Sequence, residues 1–384
     1  MTQEPLWRMI GQSVRGASHH RAGLPNQDAL TCLPATGSGP PLILAVSDGH
    51  GSAKSFRSDR GSRFAAATVA ELMRELVDGQ LRTPNLSAIK RVSEERLPRE
   101  LVRRWQDAVE ADLQRDPFSD EELSRLVAQR GDRGQQEVLA NPRLAYGATA
   151  IGVLVERDFL LFLQLGDGDI LTVTDAGVVS RPFPRDSRLI ANETTSLCMD
   201  RAWQEVRLHF QARYGTPPAL ILAATDGYAN SFVNDAAFVR VGSDILEILR
   251  RDGVKAVVES LGDWLREASE AGSGDDITLG ILYRTDALGG GGAGGEAPGR
   301  EARLAVPETS EGVDTETEAG VAVEPSGEDT TATAAAQAAA RGTETDPVLR
   351  SRMLAQLKHK GPSEPAKQGR LRDLVDSDDG ASTE

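Results

Sequence analysis

The chain has 384 residues and a formal net charge of −15, from 43 Lys and Arg against 58 Asp and Glu. With 39 % hydrophobic and 4 % aromatic residues, its apolar content is low for a chain folded throughout. The acidic balance argues against a surface that holds nucleic-acid phosphates and suits a divalent cation, and no apolar run approaches the ~20 residues that span a bilayer.

In chain order, Leu42 to Val46 is an apolar strand that ends in Ser47-Asp48-Gly49-His50-Gly51. Phe64, Val69, Leu72, Met73 and Leu76 then recur at helical spacing, and Val92, Leu101, Val102, Trp105, Val109 and Leu113 mark a second helix. A third helix is expected around Glu121 to Gln129. Strands follow in quick succession at Ala148–Val155, Phe159–Leu165, Ile170–Thr174, Val206–Phe210 and Leu220–Ala224. Glu156-Arg157-Asp158 and Asp175-Ala176-Gly177 have hairpin-turn chemistry. A long helical stretch from Ala236 to Ala268, broken near Gly253, precedes a last strand at Thr278–Tyr283. Helices in two blocks between runs of hairpin strands predict an α+β fold with a sheet-rich core rather than regular βαβ units.

Composition breaks after Tyr283. Residues 287–384 contain no Phe, Trp, Tyr or Cys, open on a Gly-rich linker, and hold 18 acids and 10 bases, which leaves −8 there and −7 on the remainder. The chain is therefore divided into a folded domain at 1–286 and a tail at 287–384 with too little apolar surface to offset chain entropy. Within the tail, Pro347 to Lys358 places Leu349, Met353, Leu354 and Leu357 at helical spacing among bases. This short helix reads either as a transient one in a solvated tail or as a docking motif for a partner groove. Met1 to Ile10 lack a signal-peptide core, and Cys32 and Cys198 cannot build a disulfide framework, so a cytoplasmic location is expected.

The chemistry lies in where the aspartates fall. Asp48, Asp167 and Asp226 each follow an apolar strand, and Asp28 and Asp275 border one. Glycine adjoins four of them, in Asp48-Gly49, Gly166-Asp167-Gly168, Asp226-Gly227 and Gly274-Asp275. One Asp-Gly pair is most simply a turn. Five carboxylates at strand ends form a set of hard oxygen donors suited to Mg²⁺ or Mn²⁺.

The local sequences, in order, resemble those of the bacterial protein phosphatase 2C family of metal-dependent serine/threonine phosphatases. The likeness runs from residue 8 to residue 283. Its motifs are Gly16-Ala17-Ser18-His19 through Asn26-Gln27-Asp28-Ala29, then Asp48-Gly49-His50-Gly51, Gly147-Ala148-Thr149-Ala150, Gly166-Asp167-Gly168-Asp169, Thr225-Asp226-Gly227 and Asp275-Asp276-Ile277-Thr278. Each motif alone is weak, and six in order are strong. The resemblance implies a four-layer αββα sandwich of two antiparallel sheets flanked by helix pairs, with 1–286 as the catalytic domain. It also implies a cofactor of two Mn²⁺ or Mg²⁺ ions sharing a water that attacks phosphoserine or phosphothreonine, with a third, weaker ion in many bacterial members.

By the same match, Asp48 bridges both ions, the Gly49 carbonyl binds one, Asp226 and Asp275 complete the other, and Asp167 holds the third. Asp28 orients the attacking water and His50 is the general acid. Three departures stand out. Gln27 replaces the family's commoner Glu at a metal position. Arg21 is the nearest candidate for the phosphate-binding Arg, but Gly23, Leu24 and Pro25 alter its spacing. Asp169 replaces the Arg of Gly-Asp-Ser-Arg. Arg181 to Asp200 occupies the place of the family's flap, while His19 and His20 read either as a polar strand end near the cleft or as phosphate contacts. The resemblance implies phosphoprotein substrates of a Ser/Thr kinase as partners. The alternative, favoured only by Gln27, is a phosphatase-like scaffold that binds phosphoproteins without turnover.

Overall fold

A computed structural model of the chain describes residues 6–79, 85–184, 194–289 and Leu357. The apolar strands are continuous because both faces of each are covered. In β4 (Leu42–Ser47), Leu42, Leu44 and Val46 point into one core and Ile43 and Ala45 into another, the two-residue period of a strand. The same split divides β5 (Ala150–Val155) and β6 (Phe159–Leu165). It also divides β10 (Leu220–Ala224) and β11 (Ile277–Arg284), whose Ile221, Ala223 and Leu282 join the first core.

That shared core lies between two antiparallel sheets. One has the order β3 (Ser38–Gly39), β1 (Trp7–Val14), β11, β10, β7 (Asp169–Val173), β8 (Val179–Ser180). The other runs β2 (Ala29–Leu33), β4, β5, β6, β9 (Arg207–Ala212). Helices α2 (Ser58–Asp78), α3 (Leu86–Arg115) and α4 (Asp120–Ala140) cover the outer face of the second sheet, while α6 (Asp235–Arg251) and α7 (Gly253–Ala271) cover the first. The four-layer αββα sandwich expected from the sequence is the architecture found. Two shorter helices, α1 (Ala17–Ala22) and α5 (Asp226–Ala229), sit at strand ends.

Several local expectations change. The third helix runs to Ala140 instead of stopping near Gln129, because a Ser119/Glu122 capping box starts it and Gly131, at φ 68°, absorbs a kink. β1 carries Arg8, Gly11, Gln12 and Ser13, which hide its period, yet it pairs with β11 over Trp7 to Val14. His19 and His20 lie on α1 rather than on a strand end, and Gly23 at φ 70° closes that helix. The break near Gly253 is found as read, with Gly253 at φ 83°. The order of 290–356 and 358–384, including most of the helix expected at Pro347–Lys358, lies outside the described residues, as does the centre of the flap at 185–193.

Candidate active site

The turns after β4, β6 and β10 open at one edge of the sandwich and bring the predicted carboxylates together. Asp48 leaves β4 locked to the neighbouring strand: its N–H donates to Thr149 Oγ1 at 2.9 Å, and Thr149 N–H donates to its carbonyl at 2.8 Å. Gly49 pairs with Ala148 in an antiparallel bridge. A Cβ on Gly49 would stand 2.5 Å from the Gln27 carbonyl oxygen, so only glycine fits between these two turns. Asp226 opens α5, Asp167 follows Gly166 at φ 102°, and Asp275 lies exposed in the turn before β11.

Asp28 sits beneath them, buried. Its Oδ2 accepts from Thr225 Oγ1 and Thr278 Oγ1, both at 2.8 Å, while its Oδ1 is buried without a partner. Burial raises this carboxyl far above its usual range, and the charge of Asp276 adds to it; the two threonines pull the other way. Asp48 is raised in the same way, first by burial and then by Asp28, Asp226 and Asp275. Asp226 is pushed up to about 8 by burial, then by Asp167 and Asp275. Asp167 is raised mainly by burial, and a hydrogen bond with Thr194 at the flap's far end offsets part of it. Asp48 and Asp226 are also in side-chain hydrogen-bond contact. Five carboxylates drawn from five chain segments are held close enough to oppose one another's ionisation.

The arrangement fits hard divalent cations. The orphaned Asp28 Oδ1, the mutual repulsion of Asp48, Asp167, Asp226 and Asp275, and the buried Gln27 Oε1, which also has no partner, are all oxygen donors that a cation would satisfy. Gln27 Oε1 lies beside Gly51, where a Cβ would be 3.9 Å away, in the turn that also carries Gly49.

His50 differs from expectation. Its N–H donates to the Gly147 carbonyl at 3.0 Å, and its ring packs so closely on Gly147 that a Cβ there would meet Cδ2 at 2.5 Å. Its Nε2 is buried without a partner, and burial pushes its pKa down to about 4. The imidazole is therefore neutral at pH 7 rather than poised near its ordinary value. Arg21 lies exposed on the last turn of α1.

A second set of residues was not singled out for a role from the sequence. Asp276 is buried and accepts from Gly16 N–H and from Gln27 N–H, both at 2.6 Å. His19 Nδ1 lies 2.8 Å from Asp276 Oδ2, and its Nε2 lies 3.6 Å from Asp275 Oδ1. Burial alone would lower the pKa of His19, but the contact with Asp276 and the charges of both aspartates raise it. Ser18 adds two bonds to the Gly274 carbonyl, from N–H at 2.8 Å and from Oγ at 2.5 Å. The opening and closing motifs are thus laced through Asp276. The one sequence signal was the doubled acid Asp275-Asp276, in which only the first residue was given a role.

The flap is anchored at both ends. Arg181 Nε donates to Asp169 Oδ1 at 2.6 Å, and its Nη2 donates to Asp235 Oδ1 at 2.6 Å. Asp169, in place of the family's Arg, thus receives an arginine from another position. At the far end Thr195 Oγ1 accepts from Gly166 N–H at 2.9 Å, beside Asp167, and Leu197 and Cys198 are buried.

No curated protein matches the chain. Among solved structures, a Mycobacterium tuberculosis serine/threonine phosphatase, PstP/Ppp, is 16% identical with a TM-score of 0.43, over 73% of this chain and 99% of that one. The catalytic domain of PstP in complex with two manganese ions is 18% identical with a TM-score of 0.36, over 72% and 98%. Stp1 from Staphylococcus aureus is 13% identical with a TM-score of 0.43, over 72% and 94%. The family model described as protein phosphatase 2C matches residues 15–266, which carry five of the six motifs and all but one of the clustered carboxylates. The chain belongs to the protein phosphatase 2C family.

Proposed function

We propose that this chain is a metal-dependent protein phosphatase acting on phosphoserine and phosphothreonine in proteins, with 1–286 as its catalytic domain. The observation that carries the reading is the convergence of Asp28, Asp48, Asp167, Asp226 and Asp275, each acid buried or held against the others' charge. Asp48, Asp226 and Asp275, with the Gly49 carbonyl and Gln27 Oε1, would hold two Mn²⁺ or Mg²⁺ ions, and Asp167 a third. Such ions, when bound, neutralise phosphoryl oxygens and lower the pKa of coordinated water. Asp28, fixed by Thr225 and Thr278, orients a water through its free Oδ1. His50, neutral in the free protein, would have to take up a proton in the substrate complex before it could serve as general acid to the leaving serine or threonine oxygen. Positioning and charge neutralisation then carry the rest of an in-line displacement. No helix among the described residues is long and apolar enough to cross a membrane. We place the protein in the cytoplasm, opposing a Ser/Thr kinase.

Hydrolysis of p-nitrophenyl phosphate and of phosphopeptides is expected with Mn²⁺ or Mg²⁺ and is expected to vanish with EDTA. Full activity in a verified metal-free preparation would remove the mechanism. The second reading, a scaffold that binds phosphoproteins, is favoured by the neutral amide of Gln27. Gln27→Glu separates the two. An added carboxylate strengthens a hard-cation site, so the metal concentration for half-maximal activity should fall several-fold while saturated turnover changes little. A silent wild type awakened by Gln27→Glu supports the scaffold; an active wild type with an unshifted titration shows that Gln27 does not reach the metal.

A further inference from the structure

One residue of the tail is buried in the domain. Leu357 is 3 % exposed and forms an antiparallel bridge with Phe232. It joins the core between the first sheet and α6–α7, the same core that buries Ala287 where the domain ends. The 67 residues between Gly289 and Leu357 form a Gly-, Ala- and Thr-rich tether with a reach of about 45 Å, ample to return to that layer.

The seat is aromatic and adjoins the carboxylates. Tyr228, Phe232 and Phe238 pack mutually, with ring centroids 5.2, 5.8 and 6.0 Å apart. Phe232 N–H donates to the Ala229 carbonyl at 3.2 Å, which ties it to the short helix that starts at Asp226. Its neighbour Ser231 donates through Oγ to the Gly227 carbonyl at 2.8 Å and lies 3.0 Å from Ser273 Oγ, so the seat abuts the turns that carry Asp226 and Asp275. Val233, beside it, is 52 % exposed.

Charge agrees with placement. Residues 347–360 hold Arg350, Arg352, Lys358 and Lys360 and no acid, whereas the tail as a whole is −8 and the remainder of the chain −7. A basic, apolar segment in an acidic chain is drawn to the acidic edge of the domain, and the tether supplies an effective concentration in the millimolar range.

We propose that segment 347–360 is a ligand of its own domain, docking through Leu357 on the Tyr228–Phe232–Phe238 trio beside the Asp226 and Asp275 turns. Of the two readings open from the sequence, a solvated helix and a docking motif, the burial of Leu357 against Phe232 favours the second, with the groove in the same chain. The inference does not rest on turnover, since it concerns a contact that a scaffold would share.

The test is hydrogen exchange read by mass spectrometry on the full chain, comparing wild type, Leu357→Asp and a tail control, Leu304→Asp. Because Leu357 is buried in the core, melting curves of the three proteins accompany the exchange data, and only faster exchange confined to 228–238 in a protein that still melts cooperatively counts as lost docking. Amides of 228–238 are expected to exchange about tenfold faster in Leu357→Asp than in wild type, with Leu304→Asp matching wild type. Identical exchange across 228–238 in wild type and Leu357→Asp would overturn the proposal. Protection that grows with protein concentration over about a fiftyfold range would also overturn it, because it would assign the groove to the tail of a second copy.

Discussion

Replacing Asp226 with Asn is expected to abolish phosphate-ester hydrolysis and, at the same time, to raise the melting temperature of the metal-free protein at pH 8. The two effects have one cause. Asp226 is half-buried beside Asp48, Asp167 and Asp275, and its carboxyl is pushed up to about 8 by burial and then by those neighbours. In the unfolded chain it ionises near pH 4. Between those values the folded protein holds a proton that the unfolded chain has lost, so stability present at low pH drains away as the pH rises toward 8. A neutral amide of the same shape removes that dependence at this position. The gain at pH 8 should be about 1–2 kcal/mol, or roughly 3–6 °C for a domain of this size, discounted for partial exposure. At pH 5 the melting temperatures should nearly coincide.

Added Mn²⁺ should stabilise the wild type strongly at pH 8 and the variant little, since a cation that binds only the folded state raises its stability. Turnover should fall at least about a hundredfold, more than is lost when a residue merely behind a ligand is changed. Asp48→Asn should behave alike, because burial and Asp28, Asp226 and Asp275 raise its carboxyl in the same manner. Melting curves at both pH values, with and without Mn²⁺, and one rate measurement decide the matter. Near wild-type turnover in both variants would mean that neither carboxylate is a ligand.

The layers were legible because the strands are strongly apolar and bounded by turn chemistry. Leu42–Val46 and Leu220–Ala224 leave no helical alternative at that length, and the Asp-Gly pairs mark where each strand stops. β1 was not legible. Its polar residues Arg8, Gln12 and Ser13 interrupt the apolar alternation, and Gly11 adds a further gap where a Cβ would meet the Leu30 side chain of the opposite sheet at 2.8 Å. Gathering Asp28, Asp48, Asp167, Asp226 and Asp275 at one edge needed the order of motifs, since local sequence alone permits five separate turns. His50 shows the limit. Its place after Asp48-Gly49 was readable, but its burial against Gly147 is a tertiary fact that no local pattern carries. The Leu357 contact is of the same kind: helical spacing announced an apolar face, while the aromatic trio that receives it is assembled from α5, α6 and the turn between them.

Asp276→Ala is expected to cost more stability than any change among the clustered carboxylates. Those acids repel one another, so removing one relieves strain in the metal-free protein. Asp276 does the reverse. It is buried, takes N–H bonds from Gly16 and Gln27 at 2.6 Å each, and lies 2.8 Å from His19 Nδ1. Truncation leaves two buried backbone donors without their acceptor, each at a cost of ~1–3 kcal/mol, and removes the carboxylate charge beside the His19 ring. A total of about 3–5 kcal/mol, roughly 10 °C or more in melting temperature, follows if the opening segment cannot re-pair with water. Because Asp276 anchors Gln27 and sits beside Asp275, metal affinity should fall as well. Asp276→Asn supplies the control. It keeps the shape and one acceptor oxygen, so it should recover more than half of the lost stability while leaving one N–H poorly satisfied. Calorimetry of the three proteins reads this directly. Equal melting temperatures for wild type and Asp276→Ala would show that the opening and closing motifs are held together by something other than this carboxylate.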